Sequence, residues 1–162
     1  MPIVQRIYEY YVLHSLISME EEPPSIAEII RRRAEVLNRG LPYLAAEMDG
    51  AVVGYTYATP YRSRSAYRFT VENSVYVQEG LSGRGIGRAL LSALLSACRK
   101  KAIRQMIAMI AGNDNIPSIH LHRRLGFCRV GTLVDVGFKF GQSVDIQIMQ
   151  KNLAAEDVPV DA

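Results

Sequence analysis

Between Val75 and Leu91 the chain passes from the apolar stretch Val75-Tyr76-Val77, through Gln78-Glu79-Gly80-Leu81-Ser82-Gly83-Arg84-Gly85-Ile86-Gly87, into a second apolar stretch that starts Arg88-Ala89-Leu90-Leu91. No other feature constrains the fold as much, because a strand that turns through glycines into a helix is a preformed anion cradle. Glycines adopt positive φ and let several N–H groups converge, and the first turn of the helix adds unpaired donors and a positive dipole end. The expected guest is a pyrophosphate. Gly83-x-Gly85-x-Gly87 lacks the third glycine of a dinucleotide fingerprint, where Arg88 stands, and lacks the Gly-Lys-Ser/Thr ending of a P-loop. About twenty positions on, Ile103-Arg104-Gln105-Met106-Ile107 offers no acidic residue for a ribose. Both nucleotide readings therefore weaken, and a glycine-rich turn with no ligand stays open until further residues decide.

With 162 residues, 49% apolar and 22% charged, the chain is expected to form a single domain over 1–162 with a core of its own and a flexible tail from about 154. A net charge of +3 is too mild to argue for nucleic acid, and Arg31-Arg32-Arg33 sits in a helical pattern as a solvated face. No stretch of about eighteen apolar residues and no basic leader before an apolar run is present, so the expectation is a cytoplasmic protein without a membrane partner. Cys98 and Cys128 lack metal-ligand spacing and are expected reduced; His120 and His122 point to different faces of a helix, and no metal site is expected.

Apolar spacing predicts a first helix from about Pro2 to Ser15. A second opens on the capping box Ser25/Glu28 and stops at Asn38 to Gly40. Asp49-Gly50 predicts a two-residue hairpin turn between strands Tyr43–Met48 and Ala51–Thr59. From Tyr67 to Val77 a long strand is predicted, with Phe69, Val71, Val75 and Val77 on one side and Arg68, Thr70, Glu72 and Ser74 on the polar other side. Asn73 interrupts the apolar side and suggests a bulge or a local widening of the strand pairing there. Helix Ile86 to about Arg99, strand Arg104–Ile110, helix Ile116–Arg124 and strands near Phe127–Val136 and Val144–Gln150 complete an α/β chain with a mixed sheet, and Gly126 suits a left-handed helix end.

The strand, the Gly83-x-Gly85-x-Gly87 turn and its helix, followed by Asn115, Ser118, His122 and Gly126-Phe127, resemble the GNAT superfamily of acyl-CoA-dependent N-acetyltransferases. Further segments, Glu20-Glu21-Glu22-Pro23-Pro24, Arg68 to Val77, Arg104 to Ala108 and Gly137-Phe138-Lys139-Phe140-Gly141, are similar to its phosphinothricin and methionine sulfone/sulfoximine acetyltransferase branch. The resemblance covers nearly the whole chain. It departs at Ser82, where the loop usually carries Arg or Gln, and at Phe69 and Asn73, which replace the commoner Trp and Asp. The branch usually has a strand before the first helix, and here Met1 falls where that helix begins, so the usual first strand is expected to be missing.

The resemblance implies acetyl-CoA as cosubstrate and direct transfer to the α-amino group of a small amino acid analogue. It places Glu72 as general base on the acceptor, against the plain reading of a solvated carboxylate or a salt bridge to Arg68. Backbone N–H groups of Val75, Tyr76 and Val77 would meet the oxyanion and the cofactor, and Gly83, Arg84, Gly85, Ile86, Gly87 and Arg88 would grip the pyrophosphate. His122 takes the usual tyrosine position, to protonate the departing thiolate, or to orient the amine, or merely to pack beside the loop. Asn115 and Ser118 would reach the cofactor arm, or cap their helix. Arg62, Ser63 and Arg64, with Glu72, Asn73 and Ser74, would line the acceptor pocket; Lys139 is a further positive group, a dimer contact or a core-edge residue. A homodimer is expected. The competing functions are acetylation of another amine or of a protein, and a non-catalytic acetyl-CoA-binding sensor.

Overall fold

The computed structural model describes residues 1–112 and 115–154; the tail expected beyond about 154 lies outside them, as do two positions of the loop expected from Ala111 to Asn115. Asp49 and Gly50 both take positive φ, 53° and 76°, and close the predicted hairpin between β1 (Tyr43–Met48) and β2 (Ala51–Pro60). Strand β3 (Thr70–Val77) runs antiparallel to β2 in unbroken register, from Gly54 opposite Val77 to Pro60 opposite Val71. Of the two irregularities expected at Asn73, the bulge is absent and the widening of the pairing is found. The irregularity lies on the other edge, where β3 pairs in parallel with β4 (Gln105–Ala111) only at Thr70, Val71 and Glu72 and then parts from it.

Strand β6 (Gln142–Asn152) pairs antiparallel with β4, and β5 (Cys128–Lys139) forms the outer edge, giving the order β1-β2-β3-β4-β6-β5. Helices α1 (Pro2–His14) and α2 (Ile26–Asn38) cover one face, and α3 (Ile86–Arg99) and α4 (Ile116–Arg124) the other. On α3, Leu90, Leu91, Leu94, Leu95 and Cys98 are buried, a stripe at helical spacing that meets Ala58, Val71 and Met106 of the sheet. Gly54 permits that approach, since a Cβ there would stand 2.9 Å from the Tyr76 carbonyl oxygen and 3.0 Å from Leu90 Cδ1. On the opposite face Val4, Ile7, Tyr8 and Val12 of α1 and Ile29 of α2 pack on Tyr55, with Tyr43, Tyr57 and Tyr76 around them.

Two boundaries depart from expectation. The long strand begins at Thr70 rather than Tyr67, because Ser65–Tyr67 forms a 3₁₀ turn in which the Arg64 carbonyl accepts from Tyr67 N at 3.0 Å. Phe69 then sits between the guanidinium groups of Arg68 and Arg104, 4.6 and 4.9 Å from the ring centre. The last hairpin is longer than predicted, because Phe140 and Gly141 both adopt left-handed φ, 53° and 74°, and carry the ladder to a tight turn. At Ser25 the capping box is half made: its hydroxyl accepts from Glu28 N, while the Glu28 carboxylate turns to Arg31 and Arg32.

Candidate active site

Where β3 parts from β4 the sheet opens into a cleft of about 480 Å³. Residues on both strand edges line it: Glu72, Asn73, Ser74, Val75 and Tyr76 from β3 and Ala108 to Ala111 from β4. From Asn73 onward the β4-facing edge of β3 has no ladder partner, so backbone donors and acceptors are free to meet a guest. At the end of the strand the Val77 carbonyl accepts from the Tyr11 hydroxyl at 2.6 Å, which ties the entrance to α1.

Side chains alternate along β3, and its residues share a face with their partners on β2. Glu72, Ser74 and Tyr76 stand opposite Thr59, Tyr57 and Tyr55, on the face covered by α1 and α2. That face is no solvated polar surface: tyrosines and a half-buried environment surround Glu72. Burial raises its carboxyl pKa, and the positive charge of Arg62 opposes the rise. Arg62 itself lies over the Tyr61 ring at 4.6 Å. Arg62, Ser63 and Arg64 are all exposed and none lines the cleft; of the two arginines, Arg62 is the one whose charge acts on Glu72.

Asn73 turns to the opposite face, where its Nδ2 donates to His122 Nε2 at 3.0 Å. The other ring nitrogen, Nδ1, donates to the Ser118 carbonyl at 2.8 Å, one turn back on α4. Those two bonds specify a neutral ring with its proton on Nδ1. Burial favours the same state, lowering the His122 pKa, and Phe127 closes the ring edge-on at 4.9 Å between centres. His122 and Glu72 thus stand on opposite faces of one strand. Asn73 Oδ1 is buried without a partner among the described residues. His120 is exposed, as its offset from His122 requires.

Below the cleft, Gly83 and Gly85 hold φ of 81° and 82°, and Gly85 is the N-cap of α3. A Cβ on either would meet nothing within 4 Å, so the space over the loop is open. Ile86 begins the helix, Gly87 packs toward Leu121 of α4, and Arg84 and Arg88 are exposed beside the first turn. Open left-handed glycines at a helix start, below an unpaired strand edge, suit a pyrophosphate with a thioester-bearing arm threaded into the cleft. Asn115 caps α4, with Oδ1 accepting from Ser118 N at 3.4 Å and Nδ2 donating to the Ala111 carbonyl at 3.1 Å. Both Asn115 and Ser118 also line the cleft. Among the described residues no three His, Cys, Asp or Glu side chains are placed to hold a metal ion.

The segment between α1 and α2 supplies residues that motif spacing did not single out. Ser18, Met19 and Glu20 line the cleft, and the Tyr8 hydroxyl donates to Glu20 Oε1 at 2.8 Å and lies 3.0 Å from Ser18 Oγ. Lys139 holds this segment from β5: its buried Nζ donates to the carbonyls of Ser15 and Ser18 at 3.0 and 2.7 Å. Gly137 lets Met19 approach, since a Cβ there would lie 2.6 Å from its Sδ. The hints in the sequence were the segment Glu20 to Pro24, where the family resemblance touches this region, and a lysine flanked by two phenylalanines.

A mixed sheet split between two parallel strands, with an anion cradle at the foot of the split and a half-buried carboxyl at its side, defines an acyl-CoA-dependent acyltransferase. Residues 5–127 match the Acetyltransferase (GNAT) family, and the chain belongs to it, as an acyltransferase that uses acetyl-CoA. The chain is 46% identical over 157 residues to a phosphinothricin N-acetyltransferase of Alcaligenes faecalis, covering 97% of this chain and 80% of that protein. It is 34% identical to an L-methionine sulfoximine/L-methionine sulfone acetyltransferase of Salmonella typhimurium, covering 96% and 91%. The crystal structure of a phosphinothricin acetyltransferase from Sinorhizobium meliloti, in complex with AcCoA, superposes with TM-score 0.88 at 44% identity, covering 91% of this chain and 80% of that one.

Proposed function

We propose that this enzyme transfers the acetyl group of acetyl-CoA directly to the α-amino group of a small amino acid analogue of the phosphinothricin, methionine sulfone or methionine sulfoximine type. The observation that carries the reading is Glu72, a half-buried carboxyl with a raised pKa that lines the cleft and feels the charge of a single arginine, Arg62. A raised pKa makes the carboxylate a better base for an ammonium group, and Arg62 is suited to pair with the acceptor's own acid group. Relatives that act on such acceptors, at 46% and 34% identity, support the substrate class.

Acetyl-CoA supplies the acyl group as a thioester. Glu72 takes a proton from the acceptor ammonium, directly or through water; the amine nitrogen bonds to the acyl carbon, the C–S bond breaks, and CoA leaves as the thiol after reprotonation. Val75, Tyr76 and Val77 offer backbone groups along the split edge, Gly83 to Arg88 grip the pyrophosphate, and Asn115 and Ser118 border the arm. We assign His122 to positioning: a neutral ring engaged at both nitrogens fixes Asn73 and the wall of the cleft.

We further propose that the enzyme works as a homodimer through β5 and in the cytoplasm, a reducing compartment that suits the free thiols of Cys98 and Cys128. No helix among the described residues is long and apolar enough to cross a membrane. A thiol-release assay with acetyl-CoA against amino acids and their sulfone, sulfoximine and phosphinate analogues tests the function. The expected result is a dominant kcat/KM for one analogue class; tight acetyl-CoA binding without thiol release from any amine would sink the reading and leave a sensor.

A further inference from the structure

Asn73 is the first residue of β3 beyond the parallel pairing with β4, which ends at Glu72 and Ile107. Its side chain is only 7% exposed, and it lines the cleft together with Ser118 and His122 of α4. One end of its carboxamide is engaged, since Nδ2 donates to His122 Nε2 at 3.0 Å. The other end is not: Oδ1 is buried without a partner among the described residues. Turning the carboxamide over gives no relief. The Ser118 carbonyl, 2.8 Å from Nδ1, holds the ring proton on that nitrogen, so a reversed carboxamide would set Oδ1 against the lone pair of Nε2.

A buried acceptor without a donor costs stability, and in the wall of a binding cleft it calls for a ligand that brings the donor. Which group of the ligand reaches it follows from its place on the strand. The glycine cradle lies just beyond Val77, and from Val77 back to Asn73 the strand runs about 13 Å to the vertex of the split. An arm gripped at the cradle by its pyrophosphate therefore has its reacting end beside Asn73. Glu72, the neighbouring residue, serves the acceptor amine from the other face of the strand. Oδ1 is left to meet the sulfur end of the arm. In acetyl-CoA that sulfur belongs to a thioester and has no proton to give. As the amide forms, the acceptor ammonium gives up two protons, one through Glu72 to solvent and one that ends on the sulfur when the C–S bond breaks. An S–H donor exists only in the product.

We propose that Asn73 Oδ1 accepts the thiol S–H of CoA, so that the cleft holds the product by a hydrogen bond that the thioester cannot make; the inference rests on the acetyl-transfer reading above. CoA then competes with acetyl-CoA, and the rate follows the ratio of acylated to free coenzyme rather than acetyl-CoA alone. A neutral oxygen beside the sulfur favours thiol over thiolate, so the same contact raises the pH at which the bound thiol ionises.

Calorimetry that compares CoA with S-methyl-CoA tests this, because the thioether keeps the sulfur and loses its proton. Its methyl group is smaller than the acetyl group that the cleft must admit. The parent chain is expected to bind CoA about three- to tenfold tighter than the thioether, S–H being a weak donor to a buried acceptor. Asn73→Leu and Asn73→Ala, both checked for folding by thermal unfolding, withdraw the acceptor and should bring the two affinities within about twofold, with CoA the one that weakens. A purely structural role of Asn73 through His122 would weaken both ligands alike and leave their ratio as it was. The second readout is the ultraviolet absorbance of the thiolate in bound CoA, which should appear at higher pH in the parent than in either variant. Equal binding of CoA and S-methyl-CoA by the parent overturns the proposal, as does a preference that survives in a folded variant. The parent alone also decides, since bound CoA that ionises at the same pH as free CoA overturns it. Neither measurement needs turnover: if no amine releases thiol, the acetyl-transfer reading fails by itself, and the calorimetric ratio still tests Asn73.

Discussion

Two titratable residues on opposite faces of β3 respond to pH in opposite senses. Burial holds the Glu72 carboxyl above its ordinary value, so kcat/KM is expected to rise with pH as that group ionises. In the window between the ordinary and the raised pKa the folded protein keeps a proton that the unfolded chain has released, and stability falls as pH rises through it. Glu72→Gln removes that loss: it is expected to lower kcat by about 10²–10⁴-fold, leave the KM for acetyl-CoA unchanged and raise Tm at neutral pH. An unchanged kcat takes the base role from Glu72. His122 has its pKa depressed by burial from 6.5, so between the depressed value and 6.5 the unfolded chain binds the proton and the folded protein does not. Stability is thus full above about pH 6.5 and drains away on acidification. Asn73→Asp puts a carboxylate against Nε2 and is expected to reverse this, raising the imidazole pKa in an NMR titration. The glycine loop, Asn115, Ser118 and His122 could be singled out in the sequence because their types and spacing form a motif, and Glu72 through the resemblance of its strand. The tyrosine surroundings of Glu72 could not, because Tyr8, Tyr57 and Glu20 come from three separate elements and meet only through packing. The pairing of Asn73 with His122, 49 positions apart, was hidden for the same reason.

At the scale of elements, the cleft depends on α3 standing close to the sheet, and Gly54 is the residue that lets it. Gly54→Ala forces a methyl group against the Tyr76 carbonyl and Leu90 and is expected to destabilise by about 1–3 kcal/mol, read as a fall in denaturant midpoint without a change in m. Gly85 acts on the same helix from its start. Gly85→Val imposes a branched side chain at φ 82° in the open space of the cradle, and should weaken acetyl-CoA binding in calorimetry far more than it slows the bound complex. Unaltered affinity would remove the cradle from the cofactor site. Helix positions were readable to within a residue or two because their apolar spacing is strong, and the first hairpin because Asp-Gly favours positive φ at both turn positions. The parting of β3 from β4 was readable only as the widening that Asn73 suggested; its edge and extent were not, because Val75 and Val77 look as strand-like as Val71 and loss of a ladder belongs to the pair of strands rather than to either sequence. The turn at Phe140-Gly141 was missed because phenylalanine is seldom found at left-handed φ.

Over the whole molecule, polar anchoring and apolar exposure meet on one strand. Strand β5 is the edge of the sheet, and it exposes Val130, Val134, Val136 and Phe138, the last at 70%, with Phe140 beyond its end. An edge strand so apolar is a liability unless another surface covers it, and in the proposed dimer a second copy of the same strand would close it by symmetry. Between Phe138 and Phe140, Lys139 turns inward and holds the Ser15 and Ser18 carbonyls of the segment that lines the acceptor side of the cleft. In the dimer proposed above, its face and the wall formed by Ser18 to Glu20 would be two sides of one hairpin. Phe138→Glu combined with Val136→Glu is expected to give a monomer in sedimentation velocity, where the parent chain is expected to sediment as a dimer. Because β5 then loses its cover while the glycine cradle is untouched, the KM for the acceptor should rise severalfold with the KM for acetyl-CoA unchanged. Lys139→Met releases the same wall without altering the apolar face, so it should reproduce the acceptor defect in a protein that still sediments as a dimer. A parent chain that is monomeric at the assay concentration would reject the dimer. An acceptor KM indifferent to both variants would separate the hairpin from the site.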